Sequence, residues 1–203
     1  MSPAAPTVPL PPGTAPDPEG PERVVLLSDE GAPVGTALKS EVHTEDTALH
    51  LAFSAHLRAP DGRVLLTRRA LDKRTWPGVW TNSFCGHPAP GEPFAAAIRR
   101  RGAEELGLDA ALLGDPEVVV PGFRYRAVDA GGLVEHEICP VHVVDYLGDP
   151  EDLPAPNPAE VMDSAWVRIE DAAEVARRMP LLLSPWFVEQ LAEDGLLRGV
   201  ADA

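Results

Sequence analysis

A thiol, an imidazole and two indoles stand close together in Trp76-Pro77-Gly78-Val79-Trp80-Thr81-Asn82-Ser83-Phe84-Cys85-Gly86-His87-Pro88. A buried strand would read as a run of Val, Ile and Leu. Here a sulfur that can carry a proton lies two residues from a possible metal ligand, among glycine-bearing turns. Buried cysteine is usually inert, so the rest of the chain decides. His43, His50, His87, Glu135 and Glu137 form a second group. Three imidazoles and two carboxylates suit Mn²⁺, Zn²⁺ or a related ion in five or six coordination. A single histidine is more often a surface or satisfied core residue than a ligand, and His56 and His136, which have no such company, are set aside. The third group is basic: Lys39, Arg69, Lys73 and Arg101, with Arg68-Arg69-Ala70-Leu71-Asp72-Lys73-Arg74 beside the thiol stretch. In an acidic chain such charges usually serve solubility, but this cluster is what a diphosphate requires.

These residues need elements to hold them. Arg23 to Ser28 and Val34 to Leu38 read as a hairpin around Asp29-Glu30-Gly31. From Leu49 to Leu57 large apolar residues alternate with small or polar ones, predicting a strand with Leu49, Leu51, Phe53 and Leu57 inward and His50 on the other face. The turn Pro60-Asp61-Gly62 pairs it with a strand from Arg63 to Arg69. A helix is expected between Pro93, suited to a first turn, and Gly107, suited to the position past the end. Val118 to Val128 and Leu133 to Leu147 read as two strands around Asp129-Ala130-Gly131-Gly132. Glu135 and Glu137, two apart, then share a face. A loop from Asp149 to Pro158 precedes a strand from Ala165 to Ile169, and helices from Glu170 to Arg178 and from Pro185 to Asp194 close the chain. The expected class is α/β, a mixed sheet sandwiched between helices.

At 203 residues the chain has room for one ordinary domain. Residues 1 to about 21, rich in Pro, Ala and Gly, are expected to be a disordered arm, with a single domain over 22–203. The formal net charge of -15 gives a nucleic acid no basic field to meet. Of the two cysteines, Cys139 falls in an apolar stretch, so a secreted disulfide framework is unsupported and a reducing cytoplasm fits. No basic leader or membrane-length apolar run is present.

Gly86, Glu92, Arg100, Glu104, Glu105 and Gly107 stand at the spacings of the Nudix box, G-x5-E-x7-R-E-U-x-E-E-x-G-U with U aliphatic. Such a loop and helix present carboxylates to a cation that neutralises a diphosphate. The bland alternative is a surface helix laced with charge pairs. Arg101 replaces the first Glu of the box and Gly102 its aliphatic residue, which argues against ordinary hydrolysis.

The whole pattern resembles the type 1 isopentenyl-diphosphate delta-isomerase family of the Nudix superfold. The resemblance is carried by His43-Thr44-x-Asp46-Thr47-x-Leu49-His50-Leu51-Ala52-Phe53, Thr67-Arg68-Arg69-Ala70, Trp76 to Ser83 with Cys85-Gly86-His87-Pro88, Phe123-Arg124-Tyr125-Arg126-Ala127, Glu135-x-Glu137 and Ser184-Pro185-Trp186. It covers almost everything after the Pro-rich arm. Motifs in this order are far more specific than the box alone. The resemblance implies that Cys85 and Glu137 are the catalytic pair, with Tyr125 assisting Glu137. It implies that His43, His50, His87, Glu135 and Glu137 hold one metal, and that Glu105 helps hold a Mg²⁺ bound to the diphosphate. It further implies that Lys39, Arg69, Lys73 and Arg101 meet the diphosphate oxygens.

Moving a double bond between isopentenyl and dimethylallyl diphosphate requires protonation to a tertiary cation and loss of a neighbouring proton. Glu137 with Tyr125 is expected to deliver the first proton, Cys85 as thiolate to remove the second, and Trp186 to face the cation. The expected partner is a small isoprenoid diphosphate, with no nucleic acid or membrane, bound by a monomer or weak dimer. Two readings compete: a Nudix pyrophosphohydrolase of a nucleoside diphosphate derivative, and a catalytically silent binding protein on the same scaffold.

Overall fold

The computed structural model describes residues 20–201. The arm expected over residues 1 to 21 therefore lies outside the described residues but for Gly20 and Pro21.

Prolines, glycines and turns cut the apolar runs into short strands. The expected hairpin forms from β1 (Arg23–Leu27) and β2 (Pro33–Leu38). One helical turn, α1 (Lys39–Val42), leads through His43 to β3 (His50–Leu51) and β4 (Phe53–Arg58). The strands β5 (Val64–Arg69), β6 (Trp80–Thr81) and β7 (Phe84–Gly86) precede α2 (Phe94–Leu106). Next come β8 (Glu117–Val120), β9 (Arg124–Val128), β10 (Val134–Ile138) and β11 (Val141–Asp145). The chain closes with β12 (Val161–Val167), α3 (Ile169–Arg178), α4 (Pro185–Gln190) and α5 (Asp194–Ala201). No helix among the described residues is long and apolar enough to cross a membrane.

The mixed α/β class holds, but the strands form two sheets rather than one. One sheet has the order β2-β1-β3-β10-β9; the other has the order β12-β5-β4-β11-β8, with β6 paired to β5 and β7 to β4. Three stretches that read as single strands pass from one sheet into the other. Leu49 to Leu57 changes sheet at Ala52, Val118 to Val128 at Pro121–Phe123, and Leu133 to Leu147 at Cys139–Pro140. Pro140 has no N–H for a ladder and so breaks its run. The three crossings lie side by side, since Ala52 N donates to Ile138 O (2.9 Å), Ser54 N to Pro140 O (3.1 Å) and Cys139 N to Phe123 O (2.8 Å). There β3 lies parallel to β10, and β4 parallel to β11.

The helix expected between Pro93 and Gly107 is α2, ended by Gly107 at φ 66 with its N–H on Ala103 O. Its buried face carries Ala97, Ile98, Arg101, Gly102, Glu105 and Leu106, so two charged side chains are turned inward. The Pro185 to Asp194 helix is corrected to α4, ending at Gln190, with α5 beginning at Asp194. The strand expected from Ala165 to Ile169 starts earlier, at Val161, and Ile169 opens α3. The main apolar cluster joins Ala52, Tyr125, Val141, Trp186 and Phe187 between the sheets and the C-terminal helices. A second packs Phe53, Leu57 and Phe84 against Ile98 and Leu106 of α2.

Candidate active site

Where the sheets part, a cavity of about 530 Å³ opens. His43, Cys85, His87, Tyr125, Glu135, Glu137 and Trp186 line it, as do Lys39, Arg69, Lys73, Arg101 and Glu105. Of the catalytic, metal-binding and diphosphate candidates, only His50 is absent from the lining, while the box residues Glu92, Arg100 and Glu104 also lie outside it, Arg100 pairing with Glu92 at 2.7 Å. His50 is fully buried behind and reaches the group through Nε2.

Strand register assembles the metal-binding candidates. On the five-stranded sheet Glu137 of β10 stands opposite both His50 of β3 and Tyr125 of β9. Glu137 Oε1 lies 3.1 Å from His87 Nε2, 3.3 Å from His50 Nε2 and 4.0 Å from His43 Nε2. The Nδ1 of His50 is 2.9 Å from Ala48 O, an acceptor, so it donates and leaves Nε2 bare toward the group. The Nε2 atoms of His50 and His87 approach to 3.2 Å, and His43 Nε2 is buried with no hydrogen-bond partner. Donor atoms of His43, His50, His87 and Glu137 lie within 4.8 Å of one another. Nitrogen lone pairs and a carboxylate oxygen converging away from water repel unless a cation lies among them, so these residues fit a divalent metal. Burial pushes the Glu137 carboxyl up, but the three imidazoles outweigh it and hold the group well below the usual range. Burial pushes His87 down to about 4, against the opposing pull of Glu137.

Glu135 faces the same cavity but stands outside that four-residue group. Its Oε1 accepts from Thr75 Oγ1 at 2.6 Å and its Oε2 from Tyr125 Oη at 2.8 Å. The same hydroxyl lies 2.9 Å from Glu137 Oε2. One phenolic proton is thus shared between two carboxylates.

Cys85 arrives from the other sheet. On β7 it stands opposite Ser54 of β4, with Sγ 3.6 Å from Ser54 Oγ and 3.3 and 3.4 Å from Asn82 Nδ2 and Oδ1. Burial pushes the thiol up to about 12 despite these hydrogen bonds, with the Glu137 and Glu105 charges adding to the rise. Burial thus favours the neutral thiol over the thiolate that is expected to act as base. Cys85 and Cys139 are both free.

Charged residues line the same cavity. Arg101 occupies the box position where a Glu is usual and pairs with Glu104 (2.7 Å), with Glu105 and, at 3.6 Å, with Glu160. A β-carbon at Gly86 would lie 2.7 Å from Arg101 Cγ, so the box glycine makes room for this arginine. Lys73 pairs with Glu160, and Lys39 with Glu22 at 2.9 Å. Arg69 donates to the carbonyls of Thr75 and Trp76, the latter held at φ 41, and its guanidinium carbon lies 5.4 Å from the Trp186 ring centroid. Burial raises the Glu105 carboxyl, opposed by Arg101. A buried carboxylate among cations supplies a hard oxygen suited to Mg²⁺ carried by a phosphate.

Glu22, Thr75 and Glu160 were not found by sequence reasoning. Glu160 sits in a loop whose Pro, Asp and Asn mask it. Its only signal is its position just before β12, where Val161 pairs with Arg69. His56 and His136, set aside from sequence, are outside the metal-binding group.

The NUDIX domain model matches residues 48–187. An isopentenyl-diphosphate Delta-isomerase of Agromyces mediolanus is 57% identical over 182 residues, covering 90% of this chain and 85% of the relative. One from Kocuria rhizophila is 56% identical, covering 87% and 94%. A crystal structure of a Deinococcus radiodurans protein superposes with a TM-score of 0.63 at 20% identity, covering 84% of this chain and 98% of that one, which speaks to fold alone.

Proposed function

This chain belongs to the isopentenyl-diphosphate Delta-isomerase family of NUDIX-domain proteins, and from that premise we propose that it interconverts isopentenyl diphosphate and dimethylallyl diphosphate. One observation carries the mechanism. Cys85 from one sheet and the Tyr125-linked Glu137 from the other line a single cavity that also carries Lys39, Arg69, Lys73 and Arg101.

The reaction adds a proton to the terminal alkene carbon and removes one from the carbon on the other side of the tertiary centre. Atoms balance and the double bond moves one place. Whichever of Cys85 and Glu137 begins protonated gives its proton to the alkene, and the other takes one from the resulting cation. Each turnover exchanges their protonation states, so the same pair serves both directions. Tyr125 stays neutral, since burial holds its hydroxyl well above the usual range, and it orients the Glu137 oxygen through which a proton passes.

A cation in water would be captured at once, so the site must exclude water. Trp186, 2% exposed and 5.8 Å from the Tyr125 ring, supplies an indole wall. Such a wall contributes about 2 kcal/mol toward a desolvated cation. Lys39, Arg69, Lys73 and Arg101 hold the diphosphate and so fix the alkene between the walls.

His43, His50, His87 and Glu137, with Glu135 beside them, would hold a Mn²⁺ or Zn²⁺ ion, and Glu105 a Mg²⁺ on the diphosphate. Such ions supply fixed positive charge that orients carboxylate oxygens and neutralises phosphate. A pyrophosphohydrolase is disfavoured by Arg101, which brings a guanidinium where the box carries a carboxylate.

The test is NMR of isopentenyl diphosphate in deuterated water. Dimethylallyl diphosphate is expected, with deuterium in the transferred positions, and neither Cys85→Ala nor Glu137→Gln is expected to form it. Phosphate release without isomer would instead support hydrolysis, and substantial turnover by either variant would overturn the pair.

A further inference from the structure

Cys85 Sγ lies against two fully buried polar side chains, Asn82 and Ser54. Asn82 is fully buried between β6 and β7. Its Nδ2 donates to the carbonyls of Ala55 (3.1 Å) and Phe84 (2.8 Å), which fixes the amide orientation, because the opposite one would set oxygen against oxygen. So held, with both N–H groups committed to those carbonyls, the amide presents Oδ1 to the thiol at 3.4 Å as an acceptor that it shares with Thr81 Oγ1 and Trp186 Nε1. Ser54, also fully buried, adds a hydroxyl oxygen at 3.6 Å that accepts from the thiol, because its own hydrogen goes to Gln190 Oε1.

Both residues are tied to one face of α4. Trp186 Nε1 donates to Asn82 Oδ1 at 3.0 Å, and Ser54 Oγ donates to Gln190 Oε1 at 3.1 Å. Trp186 and Gln190 are four apart and both buried, so one short helix braces the two sides of the sulfur. His56 Nε2, at 2.9 Å, holds the Gln190 carbonyl from behind.

We propose that Asn82 and Ser54 are positioning residues that form a cradle fixing Cys85 Sγ in the cavity, and that the Asn82–Trp186 bond fixes the sulfur relative to the indole wall. The inference rests on Cys85 being a proton carrier in the proposed reaction. A purely structural Asn82 would lower stability and leave the chemical step of the folded protein unchanged. A positioning Asn82 lowers kcat and spares KM, because its side chain bonds Ala55, Phe84, Thr81, Cys85 and Trp186 and none of the basic residues assigned to the diphosphate.

The experiment compares the full chain with Asn82→Ala, Ser54→Ala and Cys85→Ala, each loaded with divalent cation. Folding is checked by circular dichroism, and kcat and KM are measured for isopentenyl diphosphate. Asn82→Ala is expected to lose about 100-fold in kcat, the scale of a misplaced reacting group. Ser54→Ala is expected to lose roughly fivefold, the worth of one neutral hydrogen bond. KM is expected to stay within about twofold in both, the spread uniform binding leaves when only the chemical step is touched. Parental kcat in folded Asn82→Ala beside an inactive Cys85→Ala would overturn the cradle and leave the reaction assignment standing. An active Cys85→Ala would remove the assignment itself. Should Asn82→Ala not fold, Ser54→Ala decides: a kcat loss at constant KM supports the cradle, and unchanged kcat overturns it.

Discussion

Replacing Tyr125 by Phe takes away one oxygen and nothing else from the centre of the site. Tyr125 is 5% exposed, and its ring stacks on Phe123 at 5.9 Å, contacts a phenyl ring would keep. The lost hydroxyl is the one group joined to both Glu135 and Glu137, at 2.8 and 2.9 Å. A hydrogen bond to a charged acceptor contributes about 1.5–3 kcal/mol, which corresponds to roughly 10- to 150-fold if it is felt fully in the transition state. The loss is expected in kcat, with KM little changed, because no diphosphate contact is altered. The assay is initial-rate conversion of isopentenyl diphosphate at saturating divalent cation, with thermal melting to establish that the variant is folded. A folded Tyr125→Phe protein with the parental kcat would refute the coupling of this hydroxyl to proton transfer.

Chelation with EDTA is expected to abolish conversion and to lower the melting temperature, since a ligand bound only by the folded chain stabilises it; activity that persists after exhaustive chelation contradicts a metal at the His/Glu group. Gly86→Ala sets a methyl 2.7 Å from Arg101 Cγ and 3.0 Å from Phe53 Cζ. We expect about 1–3 kcal/mol of destabilisation in chemical denaturation and a raised KM as the arginine is displaced, so unchanged KM and stability would show that the site absorbs the methyl. His56 is fully buried, and burial pushes its imidazole down to about 4 from its ordinary 6.5. Between those values the unfolded chain binds a proton that the folded one refuses, so stability falls as pH drops through 6.5 toward 4. From pH 7 to 5 the parent is expected to lose about 2 kcal/mol more than His56→Phe, and parallel denaturation curves for the two proteins at both pH values would contradict this.

The chemistry was more legible than the architecture. His43, His50, His87 and Glu137 are side-chain types whose meaning survives without coordinates, and the Gly86–Gly107 frame announced its own loop and helix. Exchange of strands between sheets leaves no comparable mark. Val118 to Val128 and Leu133 to Leu147 are apolar on both sides of their crossings, and a period-two pattern does not report which neighbour a strand pairs with. Pro121-Gly122 and Pro140 were the available warnings. His50 was placed correctly off the apolar face, but alternation suggested a half-wet strand, whereas both faces of His50 to Arg58 are buried. The direction in which the Cys85 thiol is shifted was illegible for another reason: it depends on how much water reaches the sulfur, which only packing determines. Glu22 and Glu160 escaped because an acidic residue in an acidic chain carries no signal until its partner is known.

The two sheets diverge beside the reacting groups, and this has an engineering consequence. Cys85 is anchored to one leaf and Glu137 to the other, so in the proposed reaction their separation depends on how the leaves join at Ala52, Phe123 and Cys139. Wedging that fork with bulkier side chains would retune the jaw for longer or shorter chains while both jaws keep their own teeth.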